Sequence, residues 1–577
     1  MPGGIIVLVA NGTGPETIIL TNNPQFSYFK SVFRRYTNFA TEPIEVPFSG
    51  GTTSLPLDKG ITLKCTIPRH AELMSHLYLK VDLPAIYSGI CPCPNADGDP
   101  DPNDIYGLRF QWIRDLGSRL IEEITLTIGG VQVQKLTGEW IALWYKMFAP
   151  EEVDLDIWND MTGNTPEYYD PANAPHAMGV YPTSTLLSTD TTDPELSTTN
   201  LTPTITNPNN RTASIPKKTL HIPIPFWFSA HSGAALPLVA LQNNEVEVQV
   251  TLRPLQDIYT VQDPTTGKQI PPNANQPEHA ISSFQSVSDY EALQGSSAEP
   301  PADLRLLPIS TRLDLNPRLL ASYVFLDDQE QAQFAASTHR YLIEQIDYRY
   351  HKGIRGPYSF DLTLNHPVKT IVWCAQREDV SCRNDWSNYT NNTTPGGLIP
   401  STSLQAYRPL QDEQVFKVID PTPPLLPANN QLLSGFVSRV PTSLGLLSSM
   451  VTRYDYPNTE QDILQNATLL FNGIELFCTQ ESSYFGSLQP LQCRQRKSPP
   501  GVYSYSYALN PRVVRQPSGA CDTSRVTKVQ LNVTALDATV VTDEGVSTQP
   551  EYTLNVFVVQ YNVLRIMGGM GGVEYAN

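Results

Sequence analysis

One short construction occurs once in each half of this 577-residue chain and restricts the possible fold more than any other stretch. Ile124-Thr125-Leu126-Thr127-Ile128-Gly129-Gly130-Val131-Gln132-Val133 alternates apolar and polar residues, turns on glycine and alternates again. Ala467-Thr468-Leu469-Leu470-Phe471-Asn472-Gly473-Ile474-Glu475-Leu476-Phe477 does much the same around Asn-Gly. Alternation with period two puts apolar side chains on one face of a strand, and Gly-Gly or Asn-Gly supplies the positive φ of a tight hairpin turn. The two turns lie 343 positions apart (473 − 130). That repetition predicts two copies of one all-β domain.

The flanking sequence carries the same order of elements twice. In the first half, strands are predicted at Pro43 to Phe48, Gly60 to Ile67, Leu77 to Leu83, Thr219 to Phe228, Glu245 to Leu252 and Ser322 to Leu326. Gly138 to Met147 has apolar residues at helical spacing and predicts a helix. In the second half, strands are predicted at His339 to Tyr348, Tyr358 to Leu364, Val368 to Ala375, Val502 to Ala508, Val526 to Val533 and Tyr552 to Met567. The strand beginning near Asn244 matches one beginning near Arg525, an offset of 281 (525 − 244). The hairpin offset exceeds this by 62 (343 − 281), close to the length of a Pro/Thr-rich stretch after the first hairpin. A duplication with one loop insertion gives that change of offset.

About eight antiparallel strands per copy, packed as two sheets, is a jelly roll. The predicted fold is all-β: two tandem eight-stranded jelly rolls (a double jelly roll) with long loop insertions and a short N-terminal arm. The arm covers residues 1–40 and is read as an extension or short helix that packs on a partner. The first roll covers 41–334, with insertions at about 149–216 and 257–302. The second covers 335–577, with an insertion at about 377–461 and a C-terminal tail; the boundary falls near Ala335.

Composition narrows the function. Charged residues are 17% of the chain, and 50 prolines and 27 tyrosines suit strands joined by stiff polar loops. A formal charge of −18 argues against coating nucleic acid, since phosphates are held by clustered Lys and Arg. The clearest basic cluster is Lys30, Arg34 and Arg35, set among Phe26, Tyr28, Phe29, Phe33 and Tyr36. No run of about 20 apolar residues predicts a membrane span, Ile5 to Ala10 is too short for a signal-peptide core, and Pro2 stands where N-myristoylation needs glycine. Eight cysteines without a CxxC pair predict no disulfide framework and a cytoplasmic site of synthesis. Sequons at Asn200, Asn210, Asn388, Asn466 and Asn532 read as chance matches in Asn/Thr-rich sequence.

Motifs for catalysis are lacking: no His-Glu-x-x-His, Gly-x-Ser-x-Gly or Walker sequence occurs. The acidic run Asp97-Gly98-Asp99-Pro100-Asp101-Pro102-Asn103-Asp104 imitates a calcium loop, but Pro102 replaces the needed glycine and Leu108 the closing glutamate. Cys91 and Cys93 have no nearby Cys or His to complete a metal site. His221 and His366 read as structural, and the Gly568 to Gly572 run as a flexible tail or intersubunit contact. Asp327 and Asp328 point to opposite faces of a strand, a poor acid/base pair. Neither a catalytic residue nor a cofactor nor a metal is expected, although jelly rolls also host lectins and glycosidases.

A set of ordered motifs resembles the major capsid proteins of the large nucleocytoplasmic DNA viruses. Leu20-Thr21-Asn22-Asn23-Pro24-Gln25, with Phe29-Lys30, Arg34-Arg35 and Thr37-Asn38-Phe39-Ala40, is similar to that family's N-terminal signature. Leu236-Pro237-Leu238-Val239-Ala240-Leu241-Gln242, Phe325-Leu326-Asp327, Tyr341-Leu342-Ile343-Glu344-Gln345, Gln516-Pro517-Ser518-Gly519 and Tyr561-Asn562-Val563-Leu564-Arg565-Ile566 follow in family order. The resemblance implies a double jelly roll that trimerises into pseudo-hexagonal capsomers. These would tile an icosahedral shell around a membrane-enclosed DNA genome, assembled in the host cytoplasm. Implied partners are neighbouring capsomers, minor capsid and penton proteins and an internal viral membrane, with no direct nucleic-acid binding. It also places the N-terminal segment on the inner side, so Lys30, Arg34, Arg35, Phe29 and Phe33 are the candidate contact with membrane or minor capsid protein. The long loops would form an outward tower, and Trp386, Tyr389, Tyr407, Tyr454 and Tyr456 are candidates for intersubunit packing.

Overall fold

Strands form where apolar side chains recur at alternate positions, since one face of the chain then enters a core. The first half supplies β1 (Phe39–Pro47), β2 (Ile61–Thr66), β3 (Leu73–Leu83), β4 (Ile121–Ile128), β5 (Val131–Thr137), β6 (Lys218–Pro223), β7 (Val246–Leu252) and β8 (Arg318–Leu326). The second supplies β9 (His339–Ile354), β10 (Pro357–Leu362), β11 (Pro367–Arg377), β12 (Leu464–Phe471), β13 (Ile474–Glu475), β14 (Val502–Ser506), β15 (Val529–Ala535) and β16 (Tyr552–Met567). This computed structural model describes residues 5–6, 23–31, 33–50, 53–87, 108–150, 153–169, 213, 215–262, 269–285, 312–391, 462–536, 540–541, 547–548 and 551–575. The loop at 90–106 with Cys91, Cys93 and the acidic run lies outside them. So do Asn200, Asn210, Tyr407, Tyr454, Tyr456 and most of the three expected insertions.

Hydrogen bonding orders the first set as β1-β8-β3-β6 and β2-β7-β4-β5, and the second as β9-β16-β11-β14 and β10-β15-β12-β13. Each strand number of one set, raised by eight, gives the other. The chain is a double jelly roll. Both hairpin turns have two residues at positive φ, Gly129 and Gly130 in one and Asn472 and Gly473 in the other, the backbone that lets a two-residue turn follow the twist of its strands. The β4-β5 and β12-β13 hairpins are therefore equivalent.

Register corrects one expected offset. Thr125 of β4 opposes Gln249 of β7, and Thr468 of β12 opposes Asn532 of β15, so β7 and β15 differ by 283 positions (532 − 249) and not 281. The whole discrepancy arises between the hairpin and the next strand. Thr137 to Lys218 spans 81 positions (218 − 137), while Glu481, the end of a short separate strand Gln480–Glu481 that also pairs with β12, lies 21 positions before Val502 (502 − 481). Apolar and polar residues alternate too regularly along β7 for sequence alone to fix the pairing to the residue.

Helix α2 (Gly138–Met147) has the predicted bounds; Thr137 caps it, accepting from the Trp140 N–H at 3.2 Å. Helices α1 (Leu116–Leu120), α3 (Leu155–Thr162) and α4 (Asp328–Ala336) are additional. Asp327 caps α4, accepting from the Asp328 N–H, so the Asp327/Asp328 pair belongs to a helix start. The strand expected to reach Phe228 stops at Pro223 and becomes a 3-10 turn at Trp227–Ser229. Pro223 and Pro225 lack the donors a strand ladder needs. From 23 to 38 the described residues hold no helix, while residues 5–6, nearer the start of the arm, are helical.

Two apolar clusters fill the interior, and one crosses between the rolls. Ile371, Trp373, Val556 and Val558 point into the second roll's own core. Their neighbours Val372, Cys374, Phe557 and Val559 join the cluster that fills the first roll. The β9-β16-β11-β14 sheet is thus covered on both faces, which is why β11 and β16 are almost continuously apolar.

The glycine-rich C-terminus is not a free tail. Met570–Val573 (β17) folds back on β16, and the turn docks on the first roll. The Asn243 N–H donates to the Gly569 carbonyl at 2.9 Å, and Asn244 Nδ2 to the Gly571 carbonyl at 3.2 Å. A Cβ on Gly571 would lie 2.8 Å from Leu241 Cδ2 and 3.2 Å from Ile128 Cγ2. Gly571→Val is therefore expected to cost about 1–3 kcal/mol through overpacking. Urea unfolding checks this; a midpoint equal to the parent's would show that the clamp contributes nothing.

Candidate functional site

A chain with two equivalent rolls has two kinds of functional surface: the seam that fixes one roll on the other, and surfaces left bare. The seam is built from edges that would otherwise expose backbone donors and acceptors. Gln134 Nε2 of β5 donates to the Glu344 carbonyl of β9 at 2.9 Å, and Gln345 Nε2 of β9 donates to the Val133 carbonyl of β5 at 2.8 Å. The oxygens of these two amides are also used. Gln134 Oε1 accepts from the Trp227 N–H at 3.1 Å, and Gln345 Oε1 from Asn562 Nδ2 at 2.9 Å. Beside them, Trp140 of α2 packs on Phe557 of β16 with ring centroids 5.5 Å apart.

A buried charge centre lies deeper. Arg119, at the end of α1, is 2% exposed and donates to Tyr389 Oη at 2.5 Å and to Ser387 Oγ at 3.3 Å. Glu139 Oε1 stands 4.0 Å from its guanidinium. Burial pushes the Tyr389 phenol far above its usual value, so it meets Arg119 uncharged. Burial would also raise the Asp115 carboxyl, but Lys146, 2.5 Å away, outweighs it and holds the group below the ordinary carboxylate range. The loop that follows β11 completes the lock. Asn384 Nδ2 donates to the Tyr259 carbonyl at 2.9 Å, and Trp386 Nε1 to the Asp257 carbonyl at 2.9 Å.

Two candidates for intersubunit packing are corrected by this. Tyr389 is 3% exposed inside one chain, and the Trp386 indole N–H is spent on the first roll. A buried guanidinium needs partners, and these side chains belong to its loop. Among the other singled-out residues, His366 is 6% exposed, and its carbonyl accepts from Thr523 Oγ1. His221 is half-buried on β6, where burial lowers its pKa. Asn466 and Asn532 lie on the adjacent strands β12 and β15.

The N-terminal candidates sit apart from the seam. Phe29 and Phe33 are 101% and 84% exposed, and Lys30, Arg34 and Arg35 are exposed with them. Locally, a Ser27–Lys30 bridge forms, the Phe29 N–H donates to Ser27 Oγ at 3.2 Å, and the Phe26 and Tyr28 rings meet edge to face. Phe26, Tyr28 and Tyr36 are likewise exposed. This row of bare aromatics interleaved with cations lies outside both cores.

Comparison with known proteins agrees with this architecture. Residues 27–327 match the family described as "Major capsid protein N-terminus", and residues 330–572 match "Large eukaryotic DNA virus major capsid protein". A major capsid protein of Chrysochromulina ericina virus is 27% identical, with 100% of both chains covered. That of Paramecium bursaria Chlorella virus 1 is 26% identical, again with 100% of both covered. Among solved structures, a chain of the PBCV-1 virus capsid quasi-atomic model superposes with TM-score 0.58 at 23% identity, covering 96% of this chain and 100% of that one. The Faustovirus major capsid protein superposes with TM-score 0.55 at 12% identity, covering 98% and 97%. These likenesses in structure speak for the fold.

Proposed function

The chain belongs to the major capsid protein family of large eukaryotic DNA viruses and is a structural capsid subunit, and from that premise we propose that it works as a homotrimer. Three copies, six rolls in all, form a pseudo-hexagonal capsomer, and capsomers tile an icosahedral shell around a membrane-enclosed DNA genome. Assembly takes place in the host cytoplasm. The observation that carries this reading is the fusion of two equivalent rolls through one shared apolar cluster. A fused pair presents two similar faces at a fixed angle, the geometry a near-hexagonal tile needs. Light scattering on the purified chain should give three times its 64.0 kDa mass; a monomer at every concentration would end the reading.

The arm supplies the inward contact in this scheme. Phe29 and Phe33 insert into an apolar partner surface while Lys30, Arg34 and Arg35 meet acidic groups, either lipid headgroups of the internal membrane or an acidic minor capsid protein. Penton and minor capsid proteins complete the shell. The division of the chain follows the same logic: residues 1–40 serve as arm, 41–334 as the first roll and 335–577 as the second. Arg34→Glu with Arg35→Glu is expected to abolish closed particles in a co-expression assembly assay. The trimer should stay intact by light scattering, because these side chains touch neither core. Loss of the trimer itself would contradict an inward role.

A further inference from the structure

Three large apolar side chains that face solvent come together in one place. Ile157 of α3, Leu342 of β9 and Val513 in the loop after β14 are 59%, 46% and 43% exposed. All three line a single cleft of about 810 Å³ between the rolls. Its other wall is aromatic, with Trp140, Trp144 and Tyr145 of α2, Trp158 of α3 and Phe226. Tyr145 and Trp158 stack with ring centroids 3.3 Å apart and are 8% and 4% exposed, so this wall is preformed. The two sides are also tied together. Arg496 Nη2 donates to the Val153 carbonyl at 2.6 Å, and Arg512 Nε to the Ala149 carbonyl at 3.0 Å. These bonds fix the second roll's loop on the segment between α2 and α3. A preformed cleft of this size, mostly apolar with a few polar groups, has the build of a small-molecule site.

Charge at the cleft is one-sided. Arg494, Arg512 and Arg515 line it, all from the second roll. Arg494 and Arg515 are exposed and make no ion pair among the described residues. Arg515 stands near enough to His231 that burial and this guanidinium together hold the imidazole below its ordinary pKa. Two carboxylates also line the cleft, and both have other partners. Glu344 pairs with Lys369, and Asp154 Oδ1 accepts from the Asp156 N–H at the start of α3. An apolar cleft is thus left with two cations that lack an anion.

We propose that the cleft binds a long-chain fatty acid, its chain along the α2 and α3 rings and its carboxylate on the second roll's unpaired arginines. The chain covers Ile157, Leu342 and Val513, which removes their apolar surface from water. The carboxylate supplies the charge-assisted hydrogen bonds that the guanidiniums are free to make. Tail and head draw on different rolls, so the ligand bridges the seam and stabilises the folded pair by mass action. The site lies within one chain and does not depend on the trimer.

Titration calorimetry on the full-length chain tests this with dodecanoate, kept below its micelle concentration. One dodecanoate is expected to bind per chain. Dodecanol should bind about tenfold more weakly for want of the charge, and hexanoate at least about a hundredfold more weakly for want of the longer chain. Ile157→Asp puts a charge on the apolar lip and should abolish binding; Arg515→Glu should weaken it about tenfold or more. Both side chains are exposed, so the variants should fold, which circular dichroism checks. Ile474→Asp, at a position 74% exposed on β13 and outside the cleft, should bind as the parent does. No binding by the parent below the micelle concentration overturns the proposal. So does dodecanol binding as tightly as dodecanoate, an unchanged affinity in either cleft variant, or an equal loss in Ile474→Asp.

Discussion

Arg119→Ala is expected to destabilise the folded chain by about 3–5 kcal/mol, the range for removing one partner from a buried charged group. The guanidinium is 2% exposed and bonds Tyr389 Oη and Ser387 Oγ in the second roll while facing Glu139 in the first. Without it, a carboxylate and two hydroxyls stay buried near a void. Glu139 Oε1 already has no hydrogen bond of its own, so the guanidinium is its main compensation. Tyr389→Phe removes only a neutral acceptor and should cost less, about 1.5–3 kcal/mol for a hydrogen bond to a charged group. Urea unfolding at one fixed protein concentration measures both, because assembly adds to apparent stability. The order is the decisive result. If Arg119→Ala costs no more than Tyr389→Phe, the charge centre contributes no more than a single hydrogen bond.

Much of the fold is legible in the sequence because roll strands are periodic and their turns carry glycine. β16 is predicted from Tyr552 to Met567 and forms over those residues. The hairpins locate the duplication, since Gly130 and Gly473 serve the same backbone need. The seam is much less legible. Arg119 and Tyr389 are 270 residues apart, and nothing local in either stretch announces that they meet. Gln134 and Gln345 look like ordinary polar residues of two strands until the edges are brought together. One signal was available. Pro367–Arg377 breaks the alternation that half-buried strands keep, and unbroken apolarity marks a sheet covered on both faces. It predicts that something packs outside the second roll, though not that α2 does. Terminal glycines mislead too: Gly568 and Gly569 resemble a loose tail, yet they turn β17 onto Asn243. The basic aromatic arm is legible as a cluster, and Phe29, Lys30, Phe33, Arg34 and Arg35 are all exposed.

Trp140→Ala should cost about 3–5 kcal/mol, as large-to-small changes in a packed aromatic site do, and should also change how the chain unfolds. Trp140 is 1% exposed, with Phe557 on one side and Phe148 at 5.9 Å on another. The cavity it leaves lies in the cluster shared by both rolls, while Trp373, Phe485 and Val556 remain packed in the second roll's own cluster. Damage at the seam therefore weakens coupling more than it weakens either roll. The parent is expected to unfold in one transition, because a cluster shared by both rolls ties them together. Trp140→Ala is expected to unfold in two, resolved by calorimetry. Phe557→Ala should reproduce the split, and the double variant should cost less than the two singles added, by about 0.5–1.5 kcal/mol for a direct aromatic pair. A single transition in all three variants would mean that the polar contacts across the seam, the amide bridges Gln134–Glu344 and Gln345–Val133 and the Arg119–Tyr389 centre, hold the rolls together without the aromatic contact. Adding Gln345→Leu to Trp140→Ala then decides between the two. If the ring carries the coupling, the added change deepens a split already present; if the amides carry it, the split appears only now.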